Sequence, residues 1–197
     1  MLASWQGEHM RILRTSSLEE YAVWYLQRNR RKHPACSTVG VMDNPVEVMN
    51  RDHQGKMRRW FSNATRWNIV LLDALSDLAN LVFLESEWTK TERLVIPDGP
   101  DYRLLGRVAE NAIAGNYLTR SSACKHKAYY EELANGSLRI EGENRVSICS
   151  AEEGEIGSNP SAQYYLLDGV GRCLPYMILV AEHTREFASV EAFCAER

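Results

Sequence analysis

The sequence predicts an α+β fold in which a helical N-terminal half packs on a small mixed sheet. Apolar residues recur at helical spacing through the first two thirds of the chain, whereas alternation with a period of two begins only after Gly136. The chain has 197 residues, which is enough to bury a core within one domain. These observations predict a helical and irregular extension over 1–60 and an α+β domain over 61–197.

The N-terminal extension is predicted to contain one helix. Residues 18–28 place apolar side chains at helical spacing, and the serines and glutamates at 16–20 form a capped start. Pro34 follows closely and ends the helix. Residues 35–55 show no periodicity and include an Asp-Asn-Pro turn signal at 43–45, which predicts a loop or connector.

Three helices are expected to follow. The first covers 62–88, where apolar residues keep a spacing of 3.6 and are so numerous that the helix should be buried on more than one side. Asp101 is expected to cap the second helix, over 101–116. The third covers 122–133 and ends at the Asn-Gly pair at 135–136.

Strands are predicted only in the last third of the chain. Residues 138–140 and 145–149 alternate with a period of two and flank the polar segment 141–144, which is typical of a hairpin. A further apolar strand covers 164–167. These strands should form the small sheet against which the helices pack.

The rest of the chain is predicted to form a helix and a terminal piece. The helix begins near Leu174, and Pro175 is tolerated there because a first-turn N–H has no helical partner. Residues 187–197 place Val190, Phe193 and Cys194 on one side. This spacing indicates a last strand–helix piece that packs on the sheet.

The turn at 168–172 carries the strongest functional signal. A short apolar strand ends in Asp168-Gly169, a second glycine follows at Gly171, and Arg172 stands at the start of an apolar helix. Glycines let backbone N–H groups face a ligand, the helix N-terminus adds positive potential, and arginine offers a fork of donors to a phosphate or carboxylate. Asp168 could then orient a hydroxyl, a metal or the arginine. The alternative is an ordinary junction in which Asp168 caps the helix and Arg172 is a surface charge.

This segment resembles the ParB/sulfiredoxin superfamily, over about 138–197. The shared positions are Asp168, Gly169 and Arg172. Members often have a histidine just before the arginine, and sulfiredoxins have a cysteine before that histidine; Gly171 and Val170 stand there instead, so sulfiredoxin activity is not expected. The resemblance implies a mixed sheet of this type and nucleotide or phosphate binding, with kinase-like, nuclease-like or CTP-switch chemistry.

An acidic segment at 152–155 is a candidate partner of the turn. If strand 145–149 lies beside strand 164–167, their C-terminal ends could bring Glu155 near Asp168. Gly154 frees the backbone before this glutamate, and paired carboxylates suit Mg²⁺ or a general base for a hydroxyl. The alternative is a solvated surface loop.

A basic group at the start of the third helix is a second candidate. Lys125 and His126 could add to the charge that holds a phosphate, or could form a solvated first turn whose charge opposes the helix dipole. Apart from Cys124, no histidine or cysteine lies at ligand spacing from His126. We therefore predict no metal site built from protein ligands alone.

Two basic segments contain or adjoin aromatic residues. They cover 28–33 and 56–60, with Arg66 and Trp67 close behind. Such segments can contact nucleic acid, or their tryptophans can anchor the core. The net charge of −3 and the isoelectric point near 6.0 argue against a surface built wholly for a polyanion.

The cysteines and the apolar segments indicate a cytoplasmic protein. Five cysteines without a CxxC pair predict reduced thiols. The N-terminus lacks a basic start and an apolar stretch, so no secretory signal is expected. The longest apolar-rich run, over 69–84, is too short and too polar to span a bilayer, which predicts no membrane partner.

The leading functional hypothesis is a cytoplasmic kinase-like phosphotransferase that uses ATP or another nucleotide with Mg²⁺. In this hypothesis Gly169, Gly171, Arg172, Lys125 and His126 hold phosphate, and Asp168 with Glu155 handles a hydroxyl or Mg²⁺. One alternative is a nucleic-acid-binding or nuclease-like module, such as a toxin or defence component. A second is a noncatalytic interaction protein that keeps the turn for its structure.

Overall fold

The computed structural model describes residues 10–32, 44–52, 61, 63–84, 86–151 and 163–197, with the side chains of 29–32, 50–52 and 87 excepted. Its helices are α1 (Leu18–Lys32), α2 (Pro45–Asp52), α3 (Leu75–Ala79), α4 (Glu87–Thr91), α5 (Leu105–Ala114), α6 (Cys124–Ala134) and α7 (Val170–Ala181). Its strands are β1 (Met10–Thr15), β2 (Arg66–Leu72), β3 (Val82–Phe83), β4 (Val146–Ser150), β5 (Tyr164–Asp168) and β6 (Val190–Glu196). Short 3₁₀ turns cover Tyr117–Thr119, Ser121–Ala123 and Gly142–Asn144.

The strands form one mixed sheet in the order β1-β2-β6-β4-β5-β3. The pairs β4/β6 and β3/β5 are parallel, and the other three pairs are antiparallel. Helices surround this sheet, so the predicted α+β class is confirmed. The N-terminal segment contributes to the sheet through β1, which pairs with β2.

Each face of the sheet covers a separate apolar core. On one face, α5, α6 and α7 bury side chains such as Leu105 and Leu174 against Val190, Ala192 and Cys194 of β6. On the other face, α1 and α2 cover a second cluster. The aromatic members of that cluster are Tyr21, Trp24, Tyr25, Phe61, Trp67 and Phe193. The molecule is thus a sheet between two helical layers.

The predicted helix over 62–88 is wrong. The structure has β2, the short helix α3 and β3 in this range. Strand β2 lies between β1 and β6, and its side chains alternate between the two cores: Val70 and Leu72 enter one, Trp67 and Ile69 the other. A strand buried on both faces reads as a continuous apolar run, and periodicity alone does not distinguish such a run from a buried helix.

The predicted connector over 35–55 is corrected where the structure describes it, since the helix α2 occupies Pro45–Asp52; residues 35–43 and 53–55 lie outside the described residues. Asn44 caps this helix, because the Glu47 N–H donates to Asn44 Oδ1 at 3.1 Å, and Pro45 occupies the first helical position. Val48 and Met49 are buried against α1. The turn signal at 43–45 therefore marks a helix start.

Three of the predicted helices are confirmed with small differences. The N–H of Glu20 donates to Ser17 Oγ at 3.1 Å in the first turn of α1. Helix α5 begins after Leu104, and Asp101 does not cap it. Helix α6 ends at Ala134 with Asn135 as its C-cap, and Gly136 follows at φ +77°, as the Asn-Gly pair predicts.

The predicted hairpin is also wrong. Strand β4 exists, but its partners are β5 and β6, and residues 138–140 are not a strand. The terminal piece is the strand β6, in which Phe193 faces the core opposite to that of Val190 and Cys194. Long-range pairing has replaced the local pairing that the alternation indicates.

Candidate functional site

A cleft of about 400 Å³ lies where β5 passes into α7. It brings together six residues that the sequence predicts as site residues: Lys125, His126, Asp168, Gly169, Gly171 and Arg172. The other lining residues are Arg28, Trp88, Tyr117, Ser122, Tyr129, Leu167 and Val170. Helix α1 comes from one layer and helices α6 and α7 from the other, so the cleft lies at a sheet end where both layers meet.

Gly169 forms the corner of the turn and requires glycine. Its φ is +104°, and a Cβ there would lie 2.4 Å from Val146 Cγ1. It is the N-cap of α7, where no side chain caps the helix, so Asp168 does not have the capping role. The N–H groups of Val170 and Gly171, the first two residues of α7, have no helical acceptor and are available to an anion, whereas the Arg172 N–H donates to the Gly169 carbonyl at 2.8 Å.

Gly171 allows the rings of α6 to approach the first turn of α7. A Cβ on Gly171 would lie 3.1 Å from Tyr129 Cε2 and 3.8 Å from His126 Cδ2. The glycine therefore makes close contact between α6 and α7 possible.

Pro175 lies inside α7 and not in its first turn, where the sequence predicts it. Because proline has no N–H, the Gly171 carbonyl lacks its usual helical donor.

Arg172 is a buried cation and not a surface charge. Its exposed fraction is 2%. Its Nη2 donates to the Arg145 carbonyl at 3.0 Å, while its buried Nε has no hydrogen-bond partner among the described residues. Burial lowers the pKa of Arg172, nearby Arg28 lowers it further, and Asp168 opposes both effects. The guanidinium thus keeps a buried N–H donor that an anion could accept from.

Asp168 forms an ion pair with Arg28 of α1. Both side chains are largely buried, with 12% of Arg28 and 27% of Asp168 exposed. The Arg28 guanidinium also lies 5.4 Å from the centroid of the Trp24 ring. The sequence places Arg28 in a basic segment and does not indicate its place in the cleft. No local pattern could find it, since the two partners are 140 residues apart.

His126 is a buried, neutral ring rather than a cation. It is 7% exposed, and its Nδ1 lies 3.0 Å from the Tyr117 hydroxyl. The Trp88 ring meets it edge to face at a centroid distance of 5.3 Å. Burial, together with Lys125, lowers the pKa of His126 to about 4. A ring with this pKa is neutral at pH 7, so the positive charge of this pair at that pH is that of exposed Lys125, and a phosphate contact by His126 stays a prediction.

The expected approach of the acidic segment to Asp168 rests on a wrong strand direction. Strands β4 and β5 are neighbours, but they are antiparallel: Ser150 pairs with Tyr164, whereas Asp168 pairs with Ser147. The C-terminal end of β4 is thus at the other end of β5 from Asp168. Glu155 itself lies outside the described residues.

A smaller cavity of about 130 Å³ adjoins the cleft. The two share Arg28, Tyr129 and Arg172. The remaining lining residues of the smaller cavity are Trp24, Gln27, Glu143 and Asn144. The smaller cavity therefore combines an aromatic ring with polar side chains, next to the two arginines that it shares with the cleft.

The described lining of the cleft holds three cations, Arg28, Lys125 and Arg172, and one carboxylate, Asp168. In a chain of net charge −3 this is a local excess of positive charge. No group of three or more histidine, cysteine or acidic side chains that could hold a metal occurs in the described part of the chain. Mg²⁺ at Asp168 would need the phosphate oxygens of a ligand to complete its coordination.

Comparisons with family models, curated proteins and solved structures find no match to this chain. The resemblance to the ParB/sulfiredoxin superfamily therefore stays a prediction. Within the described residues, no helix is long and apolar enough to cross a membrane.

Proposed function

We propose that the cleft binds a nucleotide or a similar phosphorylated small molecule. The observation that carries this proposal is the buried Arg172, which lines a cationic cleft at the N-terminus of α7. A buried cation with an unpartnered donor is costly unless an anion binds to it. An anion there would meet the guanidinium, the first-turn N–H groups and the helix dipole together.

The dimensions of the cleft support an organic phosphate. A volume of about 400 Å³ lies within the range of small-molecule sites, roughly 300–1,000 Å³. The adjoining cavity has Trp24 for contact with a planar group and Gln27 and Asn144 for hydrogen bonds. A nucleotide would place its phosphate at α7 and its base toward this cavity.

Phosphoryl transfer is the reaction that we propose for this site. That reaction depends mainly on positioning and on stabilising negative charge, which the cations of the cleft would supply. A phosphate bound to Arg28 would compete with Asp168 for the guanidinium. The released carboxylate would then be free to accept the proton of a hydroxyl or to bind Mg²⁺.

Nucleic-acid binding is less well supported. Trp67 is 7% exposed and belongs to the aromatic core, and Arg28 is paired with Asp168. Segment 56–60 lies outside the described residues. We therefore use nucleic acid as a comparison ligand in the test below.

The binding test is a thermal shift with ATP, CTP, GTP and ADP, each with Mg²⁺, and with short DNA and RNA. A nucleotide at a hundredfold excess over its dissociation constant should stabilise the protein by about 2.7 kcal/mol. A response only to DNA or RNA that fades with salt would contradict the proposal and favour the nucleic-acid alternative. No response to any ligand would also contradict it.

Matched lysine variants locate the ligand. Lys125→Ala should weaken nucleotide binding, whereas Lys127→Ala should not, because Lys127 is exposed on the same helix and does not line the cleft. Arg172→Lys keeps the charge but loses the fork, so it should also weaken binding. Arg172→Ala is less informative, since it would leave a cavity and an unpartnered Arg145 carbonyl. Equal binding by both lysine variants would place the nucleotide elsewhere.

Asp168→Asn separates catalysis from binding. If Asp168 acts on a hydroxyl or Mg²⁺, the variant should bind nucleotide yet show little release of ADP from ATP in the presence of an acceptor. Wild-type turnover in this variant would overturn the catalytic assignment and leave the binding proposal intact.

A further inference from the structure

Tyr117 and His126 form a buried pair beside the first turn of α7. Tyr117 is 1% exposed and His126 is 7% exposed. The hydroxyl and Nδ1 are 3.0 Å apart, within hydrogen-bond distance. Both residues line the cleft, so the state of the histidine ring affects whatever binds there.

The position of the ring proton follows from the donors and acceptors of this pair. A neutral imidazole carries one N–H, and a tyrosine hydroxyl carries one O–H. Among the described residues, Nδ1 is the only acceptor within reach of the Tyr117 hydroxyl. If Nδ1 carried the proton, the buried hydroxyl would lose this acceptor, which is unfavourable. The hydroxyl therefore donates to Nδ1, and the ring proton is on Nε2.

Nε2 is also the ring nitrogen that remains for a ligand. It has no hydrogen-bond partner among the described residues, and it is bonded to Cδ2, the His126 atom that lies 3.8 Å from the position of a Cβ on Gly171. This edge of the ring faces the first turn of α7, where the proposed phosphate would lie. Trp88 packs against the ring and limits its rotation.

We propose that Tyr117 is a positioning residue that holds His126 as the Nε2–H form, and that this N–H donates to an oxygen of the bound phosphate. This inference rests on the proposed function. The histidine thus supplies a directed neutral donor between the cations Lys125 and Arg172. The Nε2–H group gains a hydrogen bond only from an anion that places an acceptor oxygen within its reach. A bound phosphate has such an oxygen, so this donor favours phosphate over an anion without one.

The test is two-bond ¹H–¹⁵N spectroscopy of the histidine rings in the full-length protein, with inorganic phosphate as the probe. His126→Gln assigns the resonances of His126. At neutral pH they should have the pattern of the Nε2–H form, and phosphate should shift them while those of His183, outside the cleft, stay in place. Tyr117→Phe should mix the two forms, and affinity should fall about twofold if half of the rings keep the competent form.

The binding of phosphate to the variants completes the test. His126→Leu removes the donor and should raise the dissociation constant about tenfold or more. His126→Gln retains an amide donor at a similar reach and should restore part of the affinity. An Nδ1–H pattern in the wild-type protein, or phosphate binding without any shift at His126, would overturn this inference while the proposed function stands. Absence of phosphate and nucleotide binding would overturn both.

Discussion

Gly169 forms the backbone turn that positions the N-terminus of α7 in the cleft. Its positive φ turns the chain from β5 into α7, and the contact with Val146 leaves no room for a side chain. The glycine thus determines where the first-turn N–H groups of α7 point. The sequence predicts this role because an Asp-Gly pair between a strand and a helix indicates a turn.

Gly169→Ala should destabilise the protein by roughly 2–5 kcal/mol, through the unfavourable φ and the overlap with Val146. Gly136→Ala is the matched control, since Gly136 also has a positive φ but a Cβ there meets nothing within 4 Å. The control should lose only about 1–2 kcal/mol. Urea denaturation compares the two variants, and equal losses would contradict the close contact.

His126 makes stability depend on pH. Burial lowers its pKa in the folded state to about 4 from the usual 6.5, so the unfolded chain binds a proton first as the pH falls. The stability associated with the neutral ring is complete above pH 6.5 and is lost between 6.5 and 4. This loss amounts to at most about 3 kcal/mol.

His126→Gln should therefore flatten the decline of stability between pH 6.5 and 4. Urea denaturation of both proteins across this interval measures the effect, because the contributions of the other titrating groups cancel in the difference. If the plots of unfolding free energy against pH are parallel for the two proteins, His126 binds a proton equally well in the folded and unfolded states.

At the scale of the elements, amphipathic helices and doubly buried strands differ in how well the sequence predicts them. Helix α5 has one apolar face, and its spacing predicts a helix that the structure confirms. Strands β2 and β6 are buried on both faces, so the spacing of apolar residues predicts a helix at β2 and places Phe193 of β6 on the same side as Val190 and Cys194, which is wrong in both cases. Burial of both faces removes the alternation that identifies a strand.

The α5 face provides a direct test of the packing. Leu105 and Val108 are both 0% exposed, and their replacement by alanine should cost about 1–5 kcal/mol through cavity formation. Glu110→Ala, on the exposed side of the same helix, should change stability by less than about 1 kcal/mol. Melting of both core variants within a degree of the parent would show that this face is not in the core.

At the scale of the whole molecule, the mixed sheet separates two cores, and three of the four described cysteines lie in this interior. Cys149, Cys173 and Cys194 are buried, Cys124 is exposed, and none of these four described cysteines is in a disulfide. Burial raises the pKa of Cys173 to about 12, which keeps the thiol protonated and poorly reactive. Thiol reactivity can therefore report on the integrity of the fold.

A thiol reagent should modify Cys124 in the native protein and should modify the three buried cysteines only on unfolding. Titration of the unfolded, unreduced chain should find all five thiols of the sequence. Mass mapping of the modified peptides identifies each site. Recovery of three thiols or of one would reveal a disulfide, and rapid native modification of Cys173 would contradict its burial.

The sequence alone determined the α+β class, the helices α1, α5 and α6, the strands β4 and β5, and the turn at 168–172. These features depend on caps, glycines and periodicity within a few residues of each other. Tertiary structure decided the strand order, the antiparallel β4/β5 pair and the double burial of β2. It also joined Arg28 to Asp168 and buried His126, which lowers the pKa of that ring. Pairing across long loops and desolvation depend on which distant surfaces meet, which local patterns do not encode.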